Sequence, residues 1–317
     1  MKASQENKKT VSLVLGSGGA RGWAHIGVIR WLEENGYEIR SVTGCSIGAL
    51  VGGVYAAGKL DAFEEWVCSI RKVDIVTLLD LSWQRSGLVK GDKIINSLVD
   101  LVGDQMIEDL PMTYTAVASD IVRQREIWLQ SGRLFDAIRA SISLPLFFTP
   151  FHYHGVDLID GGVLNPVPIA PAFSDKTDMI LAVSLSGEPE GADKTEKIEK
   201  IESRSDDEKL EAESQQALKI PQEAKTFYDK VSGFISQFRE LDEAEPARNW
   251  SVYEIADLAF DSMQSTIARQ KLAAYPPDKV IEIANDVCGS LEFDRASEMI
   301  ELGYQFAEKA MKKQELS

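Results

Sequence analysis

Ser46 stands in Gly44-Cys45-Ser46-Ile47-Gly48, between an apolar stretch, Ile39 to Thr43, that reads as a strand and a small-residue run, 47–58, that reads as a buried helix closed by Gly58. This G-x-S-x-G spacing is that of a nucleophile elbow. Gly44 and Gly48, two positions either side, leave the serine hydroxyl free of the backbone on a sharp strand-to-helix turn. Such a serine attacks carbonyl carbon, and it needs donors for the oxyanion that forms. Gly16-Ser17-Gly18-Gly19-Ala20-Arg21-Gly22 follows the first expected strand, Val11 to Leu15, and opens the first helix, where successive backbone N–H groups converge on anionic oxygen. The loop lacks the spacing and the Lys-Ser/Thr ending of a P-loop. Its glycine spacing from Gly16, and a second strand that ends in the elbow rather than in an acidic ribose ligand, argue against a dinucleotide. A carbonyl oxyanion is the anion left. Gly18, Gly19, Ala20 and Arg21 are the candidate backbone donors, with Ser17 and Gly22 shaping the loop, and each preorganised donor lowers the barrier by a few kcal/mol.

The serine also needs a base. The chain has three histidines, His25, His152 and His154, and an α/β-hydrolase triad would place its histidine late, after the acid. His25 reads as a packing or helix-surface residue of the first helix, and His152 and His154 flank Tyr153 before a turn. A triad of Ser46 with His152 or His154 and an acid such as Asp120 stays open at this point. The pair His152-x-His154 shares a strand face with Asp157, but no further ligand is compelling, so no metal is expected. A carboxylate is the better candidate base: Asp160-Gly161-Gly162 ends an expected strand and starts a tight turn, which lets the Asp160 carboxylate project from a strand end into a site.

On these three elements the chain resembles the bacterial patatin-like phospholipases. Residues 17–22 resemble the family's G-x-G-x-x-G oxyanion loop, Gly44 to Gly48 its G-x-S-x-G elbow, and Asp160-Gly161-Gly162 its D-G-[GA] motif; Gly87 to Asp92, Arg139 to Pro145 and Asn165 to Pro168 add further similarity. The resemblance implies a Ser46-Asp160 dyad without histidine, a three-layer α/β/α sandwich around a mostly parallel sheet, and a lipid-ester hydrolase of phospholipase A or lysophospholipase type that needs no cofactor. Two departures stand out. Ser17 replaces the first loop glycine, and the stretch from Glu188 to Ala247 is longer than expected for a small bacterial member. A non-catalytic binding or regulatory protein on the same scaffold, and an acyltransferase using an alcohol other than water, are the alternatives.

The elements that must position these residues show a strand-helix-strand-helix pattern from residue 10 to about 186, the signature of an α/β layer fold. Helices are expected over 23–34, 61–70, 93–102, capped by Asp92, and 134–141, ended before Pro145. Strands are expected over 113–118, 125–129, 147–153, 157–159 and 179–184. The stretch 188–213 is dense in Glu, Asp and Lys and reads as a solvated excursion. Within 222–241, Phe227, Val231, Phe234, Ile235, Phe238 and Leu241 recur on one helical face, which suits packing on the body, a lid, or peripheral membrane contact. Ser251-x-x-Glu254 is a capping box for a helix to about Ala274; a strand over 279–283 and a helix capped by Asp294 come after it. We therefore expect one domain over 10–317 with 187–247 inserted and 1–9 a polar tail. Across 317 residues the net charge of −16 disfavours nucleic acid and weakens attraction to anionic lipid. With no secretory h-region, no membrane-spanning run and three scattered cysteines, a cytoplasmic protein is expected.

Overall fold

The computed structural model describes residues 8–71, 89–188 and 252–312. The chain divides into two compact units, Met1–Pro189 with Ala256–Ser317, and Glu190–Ile255, and the first of them holds the sheet. The acidic run from residue 189 on, the 222–241 helix, Ser251 of the capping box and residues 87–88 of the 87–92 stretch lie outside the described residues.

Eight strands form one mixed sheet. They are β1 (Lys9–Leu15), β2 (Tyr37–Cys45), β3 (Thr113–Asp120), β4 (Arg125–Leu129), β5 (Phe151–Tyr153), β6 (Val156–Asp160), β7 (Met179–Gly187) and β8 (Lys279–Ala284). Strands β3, β2, β1, β7 and β8 run parallel in that order. The helices are α1 (Ala24–Glu34), α2 (Ile47–Ala56), α3 (Leu60–Ser69), α4 (Asp92–Val102), α5 (Leu134–Ser141), α6 (Val252–Ala274) and α7 (Ala296–Lys312). Parallel strands buried on both faces carry near-continuous apolar runs, as β1 and β7 do. Their side chains still alternate between two cores. Leu13, Leu15, Leu181 and Val183 enter the larger core with residues of α1, α2, α5 and α7, whereas Val14 and Ala182 enter a second core with Val167, Ile169, Ala172 and Ala268 of α6. The sheet is thus sandwiched between two helical layers, an α/β/α fold. Among the described residues no helix is long and apolar enough to cross a membrane.

The register around β3 does most to assemble the site. Along one edge, Ala116 to Asp120 pair with β4. Along the other, β2 occupies the first half and ends at Cys45 opposite Val117, and β6, running the opposite way, occupies the second half and ends at Asp160 opposite Ala118. Two strands therefore meet end to end on one edge, and the residue leaving β2 faces the residue ending β6.

Three local expectations are corrected. Asp92 is the first residue of α4, not its cap; Gly91, in the left-handed region at φ 74°, holds the cap position. The strand expected over 147–153 shortens to Phe151–Tyr153, because Leu146 turns the chain at φ 69° and Phe147 and Thr149 instead hydrogen-bond Val89. Asp294 lies within a 3-10 turn, Phe293–Arg295, that leads into α7.

Candidate active site

The elbow is sterically forced. Ser46 adopts φ 55°, ψ −123° between β2 and α2, a conformation that costs a non-glycine residue on the order of 1–3 kcal/mol and persists only when its surroundings over-determine it. They do. A Cβ on Gly44 would lie 2.3 Å from the Gly48 carbonyl oxygen, and one on Gly48 would lie 2.2 Å from the Leu15 carbonyl oxygen. The Ser46 N–H donates to Ser141 Oγ at 2.9 Å, and that hydroxyl donates in turn to the Val117 carbonyl at 2.6 Å. No motif in the sequence points to Ser141 for this task, although it lies within the 139–145 run.

The end-to-end meeting of β2 and β6 puts Ser46 Oγ 2.5 Å from Asp160 Oδ2, with the hydroxyl donating. The other carboxylate oxygen accepts the Gly162 N–H at 2.7 Å, and the Asp160 N–H donates to the Ser143 carbonyl at 2.9 Å. Asp160 is 1% exposed. Burial pushes its carboxyl up to about 6, against the opposing hydrogen bonds from Ser46 and Gly162, which favour the charged form. Gly161 is needed for contact, because a Cβ there would meet the Val117 carbonyl oxygen at 2.1 Å, and a Cβ on Gly162 would displace Gln264 Nε2, 2.2 Å away.

Parallel pairing of β1 and β2, with Leu15 opposite Gly44, brings the glycine loop to the same sheet end as Ser46. Ser17, the departure from the expected glycine, is buried and accepts a hydrogen bond from Gln264 Nε2 at 3.1 Å. The loop is fastened by the Gly16 and Ser17 N–H groups, which donate to the Val183 and Pro166 carbonyls. Ala20 is corrected as an oxyanion donor: its N–H is taken by the Ser290 carbonyl at 2.9 Å. The Gly18 and Gly19 amides have no such partner among the described residues, and both line the pocket that opens on Ser46. The Arg21 guanidinium is not free for a substrate phosphate. It forms a bidentate ion pair with Asp261, at 2.6 and 3.1 Å.

That pocket, a cavity of about 140 Å³, is lined by polar groups at Ser46, at the loop, and at Asp257, Asp261, Gln264 and Ser290 beside the loop. Leu50, Ile142, Leu144, Phe147, Phe148 and Phe293 supply apolar wall. Arg139 braces part of it, because its buried guanidinium donates to the Lys90 and Thr149 carbonyls and to Ser143 Oγ. The site can hold an apolar chain beside a hydroxyl and a buried carboxylate.

The histidines are elsewhere. His25 is fully buried with Nε2 hydrogen-bonded to the Gly16 carbonyl at 2.9 Å, and burial lowers it to about 4, so it stays neutral. His152 pairs with Asp157 at 2.8 Å on the exposed β5-β6 hairpin, and His154 sits in that hairpin's turn at φ 47°. Asp120 is engaged by Arg123 and Arg125. Neither histidine hydrogen-bonds Ser46 or Asp120. Among the described residues no group of three or more His, Cys, Asp or Glu side chains is placed to hold a metal.

Comparison with known proteins adds an independent line. Residues 13–173 match the model of the family described as patatin-like phospholipase. An uncharacterized NTE family protein of Mycobacterium tuberculosis is 38% identical over 337 residues, covering 95% of this chain and 91% of that protein. Lysophospholipase NTE1 of Pyricularia oryzae is 28% identical over 94% of this chain, a match to 18% of its own length. Patatin-like phospholipase domain-containing protein 6 of Mus musculus is 33% identical over 57% of this chain, covering 14% of that protein. The chain belongs to the patatin-like phospholipase family.

Proposed function

We propose that this chain hydrolyses carboxylic esters of lipids, of phospholipase A or lysophospholipase type, with Ser46 as nucleophile and Asp160 as general base. One observation carries the reading: the Ser46 hydroxyl donates to the buried Asp160 carboxylate at 2.5 Å, and Ser46 lines a largely apolar pocket. Proximity of this kind is the geometric requirement on a base, to which the raised carboxyl adds a proton affinity suited to work near neutrality. The name of the Pyricularia oryzae relative, a lysophospholipase, supports the substrate class.

Ser46 Oγ bonds to the ester carbonyl carbon as its proton passes to Asp160 Oδ2, and the carbonyl oxygen becomes an oxyanion facing the Gly18 and Gly19 N–H groups at the start of the loop. Collapse breaks the ester C–O bond, and the leaving alcohol takes the proton from Asp160. Water then attacks the acyl-enzyme, giving its proton to the same carboxylate, and release of the fatty acid returns Ser46 its proton. The aligned N–H groups opening α2 add positive potential behind the serine. Labelling with a fluorophosphonate probe tests the reading without knowledge of the natural lipid. The wild-type protein should be modified at Ser46 and should cleave p-nitrophenyl esters, and Ser46→Ala should do neither; an unlabelled wild-type Ser46 would contradict it and favour a non-catalytic protein.

A further inference from the structure

Beyond the backbone bonds of Gly16 and Ser17 to Val183 and Pro166, the oxyanion loop is held by side chains from far away in the chain. On α6, Asp257, Asp261 and Gln264 succeed one another at helical spacings of four and three, so they share one face. Gln264 holds Ser17 Oγ. Asp257 bonds Ser290, whose carbonyl takes the Ala20 N–H. Asp261 takes both terminal nitrogens of Arg21. The third nitrogen of that guanidinium, Nε, donates to the Gly18 carbonyl at 3.1 Å, and Nη1 also donates to the Asn285 carbonyl at 2.9 Å. Arg21 is 3% exposed.

The Gly18 carbonyl belongs to the peptide unit whose N–H is that of Gly19. Fixing this oxygen fixes the direction of that N–H, because the peptide group is planar and its N–H and C=O point opposite ways. A planar guanidinium is the side chain suited to transmit this, since a bidentate carboxylate locks the plane and leaves Nε aimed in one direction. We propose that Asp261 is a positioning residue for ester hydrolysis: through Arg21 it orients the Gly18–Gly19 peptide so that the Gly19 N–H meets the developing oxyanion. Asp261 borders the pocket, but in this scheme it acts through Arg21 and not on the reacting atoms. Arg21 acts as a strut whose charge is spent on the protein, not on a lipid phosphate.

The inference rests on the proposed hydrolase reading, so the test carries a separate control for it. Steady-state turnover of a p-nitrophenyl ester and the rate of fluorophosphonate labelling are measured for wild type, Ser46→Ala, Asp261→Asn, Asp261→Glu and Arg21→Lys. Asp261→Asn should lower kcat about 10- to 100-fold with KM within about twofold, as expected when an interaction made only in the transition state is lost. The labelling rate should fall in parallel, and Asp261→Glu should recover part of both. Should Asp261→Asn fail to fold, Arg21→Lys decides the matter, because it keeps a charge for Asp261 but loses the fork that reaches Gly18, and it should show the same kcat loss. Normal kcat per labelled Ser46 in Asp261→Asn, or in Arg21→Lys where that variant decides, with only a lower melting temperature, would reduce the pair to a structural tie and overturn the proposal. A wild-type protein without labelling at Ser46 would overturn the hydrolase reading, and the inference with it.

Discussion

Two hydrogen-bonded pairs in this molecule look alike as chemistry and differ in place. Ser46 and Asp160 meet at 2.5 Å where two strands abut, with the carboxylate 1% exposed. His152 and Asp157 meet at 2.8 Å across a hairpin, with their side chains 70% and 62% exposed. Histidine and aspartate are by residue type the more catalytic-looking couple, yet they face water and do not line the pocket that holds Ser46 and the glycine loop. What differs is the surroundings: burial raises the proton affinity of Asp160 and dries the contact, while solvent screens the exposed pair to little effect. A site is made by the environment as much as by residue type.

Breaking the buried pair should have the largest effect. Asp160→Asn should lower kcat for ester hydrolysis by about 10²–10⁴-fold, the usual contribution of a general base, measured with a soluble p-nitrophenyl ester. Gly48→Ala comes next: with its Cβ 2.2 Å from the Leu15 carbonyl oxygen the elbow must shift, and the variant should lose most activity and about 1–3 kcal/mol of stability in denaturant unfolding. The third prediction is opposite in sign. Because burial raises the folded-state carboxyl of Asp160 to about 6, the charged form costs stability that is fully recovered only below the unfolded carboxyl's range and lost as pH rises through 6. Asp160→Asn should therefore melt higher than wild type at pH 7 and lose that advantage below about pH 4. By the same titration, wild-type kcat/KM should rise with pH through about 6, as the base ionises. The exposed pair gives the smallest effect: His152→Ala should change kcat/KM by less than about twofold and stability by no more than about 0.5 kcal/mol.

Much of this site is legible from short-range spacing. The elbow, the glycine loop and the aspartate at a strand end each announce themselves within a few residues, because steric exclusion at a tight turn dictates glycine nearby. The alternation of strand and helix carries the layered fold for the same reason. What stays hidden in the sequence depends on partners brought together by folding. Ser17 with Gln264 and Arg21 with Asp261 are separated by 247 and 240 residues, and nothing local to either end signals the other. Ala20 has the right position for an oxyanion donor, and only the arrival of the Ser290 carbonyl removes it. Ser141 escapes for a related reason: a helical serine gives no sign that its hydroxyl will reach across to the Ser46 amide. Asp92 has the residue type of a cap, whereas the backbone conformation that position needs is one Gly91 supplies at lower cost.

In the proposed mechanism Asp160, and no histidine, activates Ser46. The most direct test compares fluorophosphonate labelling rates at pH 7.5 for wild type, Asp160→Asn and the double variant His152→Ala/His154→Ala, with folding of each checked by circular dichroism. Asp160→Asn should label at least about 100-fold more slowly, while the double histidine variant should match wild type. Normal labelling of folded Asp160→Asn, or loss of labelling in the histidine variant, would contradict the dyad.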